Sequence, residues 1–219
     1  MTQLLETIEV ETGDKPTASV IWMHGLGADG NDFVPIAGEI ALPFELRYLF
    51  PNAPSIPVSI NNGYVMPAWY DIVDAAIRRE DEAGVRASQA RIEELIAREK
   101  ARGIPAGRIV LAGFSQGGAI ALQTGLRHAQ RLAGIMALST YVPLADRLAA
   151  EAGAANRDLP IFMAHGTDDP MIALARAKVS RDLLLQLGYP VIWHEYRMPH
   201  SVCPQEIADI GAWLKLVLA

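Results

Sequence analysis

A single serine, Ser115, stands between an apolar run and a cluster of glycines in LAGFSQGGA, residues 111–119. Gly113 and Gly117 lie two positions either side of it, a G-x-S-x-G pattern. Upstream, RIVLAGF reads as a buried strand; downstream, QGGAIALQTGLRH has the length and apolarity of a helix. A chain that turns so abruptly from strand to helix brings the flanking residues together, and glycine has no Cβ to collide. Such a turn lifts a serine hydroxyl above the sheet edge, where it can serve as a nucleophile. The pentapeptide also fits a glycine-rich turn with an incidental serine. A catalytic reading therefore needs a base, an acid and a place for negative charge elsewhere in the chain.

Where a serine sits on a strand-to-helix elbow, its acid and then its histidine follow it in the chain. Of the five histidines, His24 precedes the serine, His128 falls in the following helix at a position expected to be exposed, and His165 precedes every suitable acid. His194 lies inside the strand-like VIWHEY. His200, in RMPHSVCPQE, falls between a strand and a helix, and loops at the C-terminal ends of strands are where catalytic groups gather in open α/β sheets. His200 is the expected base. The acid is expected in FMAHGTDDPM, where Asp168 and Asp169 both follow a strand; either could instead cap the helix that Pro170 would begin. Cys203 reads as a small packed residue before the last helix rather than a nucleophile.

The loop IWMHGLGADGNDF has two competing readings. Gly25-Leu-Gly27-Ala-Asp-Gly30 is literally G-x-G-x-x-G after a strand, the pattern of a dinucleotide-binding turn, and on that reading the chain is a nucleotide-binding oxidoreductase. That use needs an acid at the end of the next strand, but ELRYLFPNAP ends in Pro51 and Asn52, with Glu45 at the wrong end. The other reading is an oxyanion hole: the backbone N–H of Gln116, after the serine, paired with one from this loop, expected to be Leu26. His24 is then a loop anchor that holds by hydrogen bonds.

These residues need a scaffold. Strand-like runs occur at ASVIWMH, ELRYLF, RIVLAGF, LAGIMALST, LPIFMAH and VIWHEY, several of them apolar at every position, as expected when both faces of a sheet are covered. Helices are predicted over 88–102, with Ile92, Leu95 and Ile96 on one face, over 173–187, and from Pro204 onward with Ile207, Ile210, Leu214 and Val217 on one stripe. The alternation implies a mostly parallel sheet with helices on both faces. Residues 51–74 read as irregular, with four prolines and the aromatic pair Trp69-Tyr70; the aromatics either rim a pocket or Trp69 pins a structural excursion.

With 219 residues, about half hydrophobic, the chain can build one sizeable α/β domain spanning 1–219. A net charge of −6 argues against a nucleic-acid partner, which requires clustered Lys and Arg. One cysteine allows no internal disulfide, and no Cys/His spacing suggests a metal. The acidic N-terminal stretch lacks the pattern of a signal peptide and no run reaches spanning length, so a soluble cytoplasmic protein without a membrane span is expected.

Taken together, VIWMHGLGADGNDF, FPNAP, MPAWYDI, RIVLAGFSQGGAIAL, ALSTYVP, AHGTDDP and HEYRMPHSVCPQEIADIGAWL cover nearly the whole chain and resemble the bacterial carboxylesterases related to acyl-protein thioesterases, a compact branch of the α/β-hydrolases. The resemblance implies an α/β-hydrolase fold without a large cap domain. It implies a serine carboxylesterase that cleaves small-molecule esters or thioesters through an acyl-enzyme, needs no cofactor, and often forms a homodimer. It places the nucleophile on Ser115, the acid on Asp169, the base on His200 and the oxyanion donors on Leu26 and Gln116. An open groove is expected, rimmed by the 51–74 stretch with Trp69 and by STYVPL with Val142, and suited to short or medium acyl chains. DDPMIA after the acid and Ser201 after the histidine depart from the usual pattern, which bears on substrate preference rather than on the reaction.

Overall fold

Strands that are apolar at nearly every position in the sequence are buried at nearly every position in the computed structural model, which describes residues 4–74 and 80–219. In chain order the strands are β1 (Thr7–Glu11), β2 (Ala18–Met23), β3 (Leu46–Pro51), β4 (Ser55–Val58), β5 (Tyr64–Pro67), β6 (Ile109–Phe114), β7 (Gly134–Leu138), β8 (Ile161–Gly166) and β9 (Val191–Tyr196). The helices are α1 (Val34–Glu39), α2 (Glu82–Ala101), α3 (Gln116–Arg127), α4 (Ala145–Glu151), α5 (Leu174–Gln186) and α6 (Pro204–Val217). Seven strands form one sheet in the order β1-β3-β2-β6-β7-β8-β9, parallel throughout except for β1, which runs antiparallel to β3.

The two-residue period of each strand sorts its side chains between two cores. Ile21, Leu111, Ile135 and Met163 face the layer that includes Val85, Ile92, Leu122 and Leu184 of α2, α3 and α5. Val20, Trp22, Val110, Met136 and Phe162 face the opposite layer, with Ala37 of α1 and Ile210, Trp213 and Leu214 of α6. Each fully buried aliphatic or aromatic side chain contributes roughly 1.5–3 kcal/mol, so this double coverage is what makes a mostly parallel sheet stable.

Two elements escape the sequence patterns. β1, TIEVE, carries glutamates on its open side, where Glu9 pairs with Arg98 and Arg102 at 2.8 Å each. The supposedly irregular 51–74 stretch contains the β4–β5 hairpin, with Ser55 opposite Pro67 and Val58 opposite Tyr64. Its prolines hide the strand period, because the ladder here has only two short members outside the main sheet. The predicted helix 88–102 starts earlier, at Glu82, because Asp81 caps it by accepting from the Gly84 amide at 3.0 Å.

Glu206, in the first turn of α6, is fully buried, and that burial, with Asp209 nearby, pushes its carboxyl up to about 8. A carboxyl that holds its proton more tightly folded than unfolded supports the fold most strongly at low pH. That support fades as pH rises from the ordinary carboxylate range through about 8. Glu206→Gln is therefore expected to raise Tm at pH 9 while changing it little at pH 4.5, as read by thermal denaturation; an equal shift at both pH values would count against the buried proton.

Candidate active site

Ser115 sits between β6 and α3 at φ 54° and ψ −121°, a conformation L-residues rarely adopt. Its backbone is pinned from both sides: its amide donates to Leu138 at 2.8 Å and its carbonyl accepts from the Thr140 hydroxyl at 2.6 Å. The two flanking glycines are required by contact. A Cβ on Gly113 would run into the Gly117 carbonyl, and one on Gly117 into the carbonyl oxygens of Met23 and His24. Gly113→Ala is expected to cost at least about 1–3 kcal/mol by overpacking, measured by urea unfolding; a neutral result would show the turn has slack.

Asp169 and His200 meet at the C-terminal ends of β8 and β9. His200 Nδ1 lies 2.7 Å from Asp169 Oδ2. A carboxylate there accepts, so Nδ1 carries the hydrogen and Nε2 is left bare as a base. The other carboxylate oxygen takes the amides of Met171 at 2.8 Å and Ile172 at 2.9 Å, which holds the loop around the acid. The His165 Nε2–H donates to the Ile172 carbonyl at 2.8 Å and lies 3.3 Å from Asp169 Oδ2, and burial lowers the His165 pKa, keeping this imidazole neutral beside the pair. The Phe114 ring packs 4.6 Å from the His200 ring, centroid to centroid, and fixes its tilt. Asp168 is exposed, its amide bonded to the Met198 carbonyl at 3.1 Å.

The loop after β2 lies across from the elbow, since β2 and β6 are adjacent with Met23 opposite Gly113. His24 is buried and uses both ring nitrogens. The Ala53 amide donates to Nε2 at 3.0 Å, so Nδ1 carries the hydrogen, which it gives to the Gly25 carbonyl at 2.7 Å. Burial lowers the His24 pKa, so the ring stays neutral and keeps that arrangement. In a trans peptide the carbonyl and the next N–H point in opposite directions. Holding the Gly25 oxygen therefore aims the Leu26 N–H the other way, and this amide makes no hydrogen bond among the described residues. The Gln116 amide, first in α3, is one of the helix-end donors that have no intrahelical acceptor.

Leu26, Ser115, Gln116 and His200 all line one cavity of about 550 Å³ whose apolar wall includes Met66, Ile72 and Ile172. A serine hydroxyl, an imidazole with a carboxylate behind it and two N–H groups without a hydrogen-bond acceptor among the described residues, around one apolar cavity, have the chemistry to cleave an acyl bond through a covalent intermediate. The model of the phospholipase/carboxylesterase family matches residues 5–218. The chain belongs to the phospholipase/carboxylesterase family. It is a serine hydrolase acting on ester bonds, on an α/β-hydrolase fold with no large cap among the described residues. It is 42% identical over 207 residues to acyl-protein thioesterase 1 of Yarrowia lipolytica, covering 91% of each chain. It is 39% identical over 229 residues to the Cryptococcus neoformans protein of the same name, covering 96% of each. The crystal structure of Zea mays acyl-protein thioesterase 2 superposes with a TM-score of 0.86 at 26% identity, covering 98% of this chain and 99% of that one.

For this phospholipase/carboxylesterase family member the glycine loop is not built for a dinucleotide. Gly30 opens a single 3₁₀ turn and gives its amide to Asn52 Oδ1 at 2.7 Å, so no helix start is left there for a pyrophosphate. Two residues expected to touch substrate, Trp69 and Val142, do not line the Ser115 cavity. Trp69 is 2% exposed and lies behind the cavity wall, because its indole N–H turns inward to the His24 carbonyl at 2.9 Å. Val142 is turned away toward a neighbouring cavity with Glu80 and Arg176, its amide held by the Ser180 hydroxyl at 2.9 Å. The residues that face the catalytic cavity instead are their neighbours Tyr70 and Tyr141, whose hydroxyls bond each other at 2.7 Å. His128 is buried, not exposed, and bonds Glu93 at 2.6 Å. His194 is stacked between the rings of Phe162 and Tyr196.

Proposed function

We propose that Ser115, His200 and Asp169 are the catalytic triad and that the Leu26 and Gln116 amides form the oxyanion hole of an esterase that also accepts thioesters. The observation that carries this reading is the left-handed Ser115 on the cavity that also holds His200, with the far nitrogen of that imidazole on Asp169. Ser115 Oγ attacks the acyl carbon while His200 Nε2 takes its proton. The two amides take up the charge on the former carbonyl oxygen, and Asp169 stabilises the imidazolium. The leaving alcohol or thiol departs with the proton from His200, and a water activated by the same imidazole releases the acid. Thioester cleavage is supported by the relatives named acyl-protein thioesterases. We read residues 1–219 as one catalytic domain that acts on a small-molecule substrate in the cytoplasm and can pair as a homodimer. Among the described residues no helix is long and apolar enough to cross a membrane.

Short to medium acyl chains are expected to be preferred. Each buried methylene is worth roughly 0.8 kcal/mol, about fourfold in kcat/KM, and only while it stays within the cavity. A panel of p-nitrophenyl esters and acyl-CoA thioesters tests both points. The expected profile climbs and then levels off well before sixteen carbons; an unbroken rise through sixteen, measured below micelle formation, would contradict it. Absence of turnover on every acyl-CoA would remove the thioester half of the proposal.

A further inference from the structure

The two amides assigned to the oxyanion hole come from loops on different strands, and their separation must be right to a fraction of an ångström for both to reach one oxygen. Strand pairing alone sets that separation coarsely. A hydrogen-bonded bridge spans the remaining gap, and its centre is Trp69. The indole N–H of Trp69 donates to the His24 carbonyl at 2.9 Å, on the loop that carries Leu26. The backbone amide of Trp69 donates to the Gln116 side-chain oxygen at 2.8 Å, and the Gln116 side-chain amide returns to the Tyr70 carbonyl at 2.7 Å. The Trp69 carbonyl is taken by the Ser88 hydroxyl on α2. Every polar atom of Trp69 is thus committed to a protein partner.

We propose that Trp69 and the Gln116 side chain are positioning residues that lock the Leu26 loop to the start of α3 and so hold the two oxyanion donors at a working separation. This rests on the oxyanion assignment above and goes beyond it by naming what sets the geometry. Packing at this buried position needs a flat ring but not an N–H; the indole N–H has one acceptor, and it is the carbonyl two residues before Leu26. Gln116 does two jobs at one position: it lines the cavity and carries the backbone amide assigned above as a donor, and its side chain ties that amide's helix to the segment 69–70.

Trp69→Phe keeps the ring and deletes the single N–H. Misplacing a catalytic group by about 1 Å costs on the order of 100-fold, and outright loss of one donor about 100- to 1000-fold. The expected effect is a fall of about 10- to 100-fold in kcat on a p-nitrophenyl ester, with KM within threefold. Affinity for an alkylboronic acid is expected to fall by the same factor as kcat. In that adduct Ser115 Oγ bonds to boron, its proton passes to His200, and a tetrahedral anionic boron centre sits in the hole. Gln116→Met is expected to give the same split, and it carries the test alone should Trp69→Phe fail to fold by circular dichroism. In the double variant the loss is expected to be smaller than the product of the two single losses, since either change opens the same bridge. Variants that keep kcat and boronate affinity within twofold of wild type, or that lose activity through KM alone, would overturn the proposal. A wild-type enzyme whose boronate adduct is not on Ser115 would instead overturn the reading of the site beneath it.

Discussion

Ser115→Ala is expected to lower kcat by about 10⁶ and leave the fold unchanged, the scale seen when a triad serine is removed. The size follows from what the hydroxyl does and from what it does not do. Its side chain makes no hydrogen bond among the described residues, and the strained turn is held through the backbone, by Leu138 and Thr140, and by the close approach of Gly113 to Gly117. Alanine keeps all of that and removes only the atom that would bond to the acyl carbon. What activity survives comes from the amides and the cavity acting on water. A fluorophosphonate adduct located by mass spectrometry is the companion measurement, expected once, on the peptide containing Ser115. Labelling at Cys203 or at another serine, or an alanine variant within a hundredfold of wild type, would refute the assignment.

Asp169→Asn is expected to lower kcat by about 10⁴, while Asp168→Asn stays within about tenfold of wild type. The two residues are adjacent, but their surroundings differ. Asp169 Oδ1 is fixed by two amide donors, so an asparagine there keeps its carbonyl oxygen toward Met171 and Ile172 and turns its NH₂ toward His200. An NH₂ donates, so the imidazole must present a bare Nδ1 and move its hydrogen to Nε2, the nitrogen that has to accept from Ser115. Asp168 points to solvent, and its charge can only tune binding at the rim. The measurement is kcat for both variants on one p-nitrophenyl ester at pH 8, with circular dichroism to confirm folding. A large loss at Asp168 with near-normal activity at Asp169 would show that the acid lies one residue earlier.

What could be read along the chain was whatever depends on neighbours in sequence. The inner strands β2, β6, β7 and β8 are legible because they are covered on both faces and so are apolar at nearly every position; the edge strand β9 was legible by its apolar and aromatic residues although it is only partly buried. The elbow is legible because steric exclusion acts at i−2 and i+2 of the serine, leaving glycine at both. Order along the chain set aside His24 and His165, and placement inside a helix or a strand set aside His128 and His194, which left His200. β1 and the β4–β5 hairpin were less legible: one is half charged and paired on one side only, the other proline-rich and outside the main sheet.

By itself the sequence determined the fold class, the turn that carries Ser115 and the loops that carry His200 and Asp169, because each is written in short-range patterns of size and polarity. Only the tertiary structure decided between residues that are neighbours in the chain. It shows Asp169 rather than Asp168 against His200, and Tyr70 rather than Trp69 on the cavity, since successive side chains leave the backbone in different directions and only the packed surroundings say which direction is the cavity. It also revealed that the Gln116 side chain and the Trp69 indole meet across 47 positions of sequence through the Trp69 backbone, joining two loops that no local pattern connects. Hydrogen bonds of that kind depend on distance in space, and no rule of spacing along the chain encodes them.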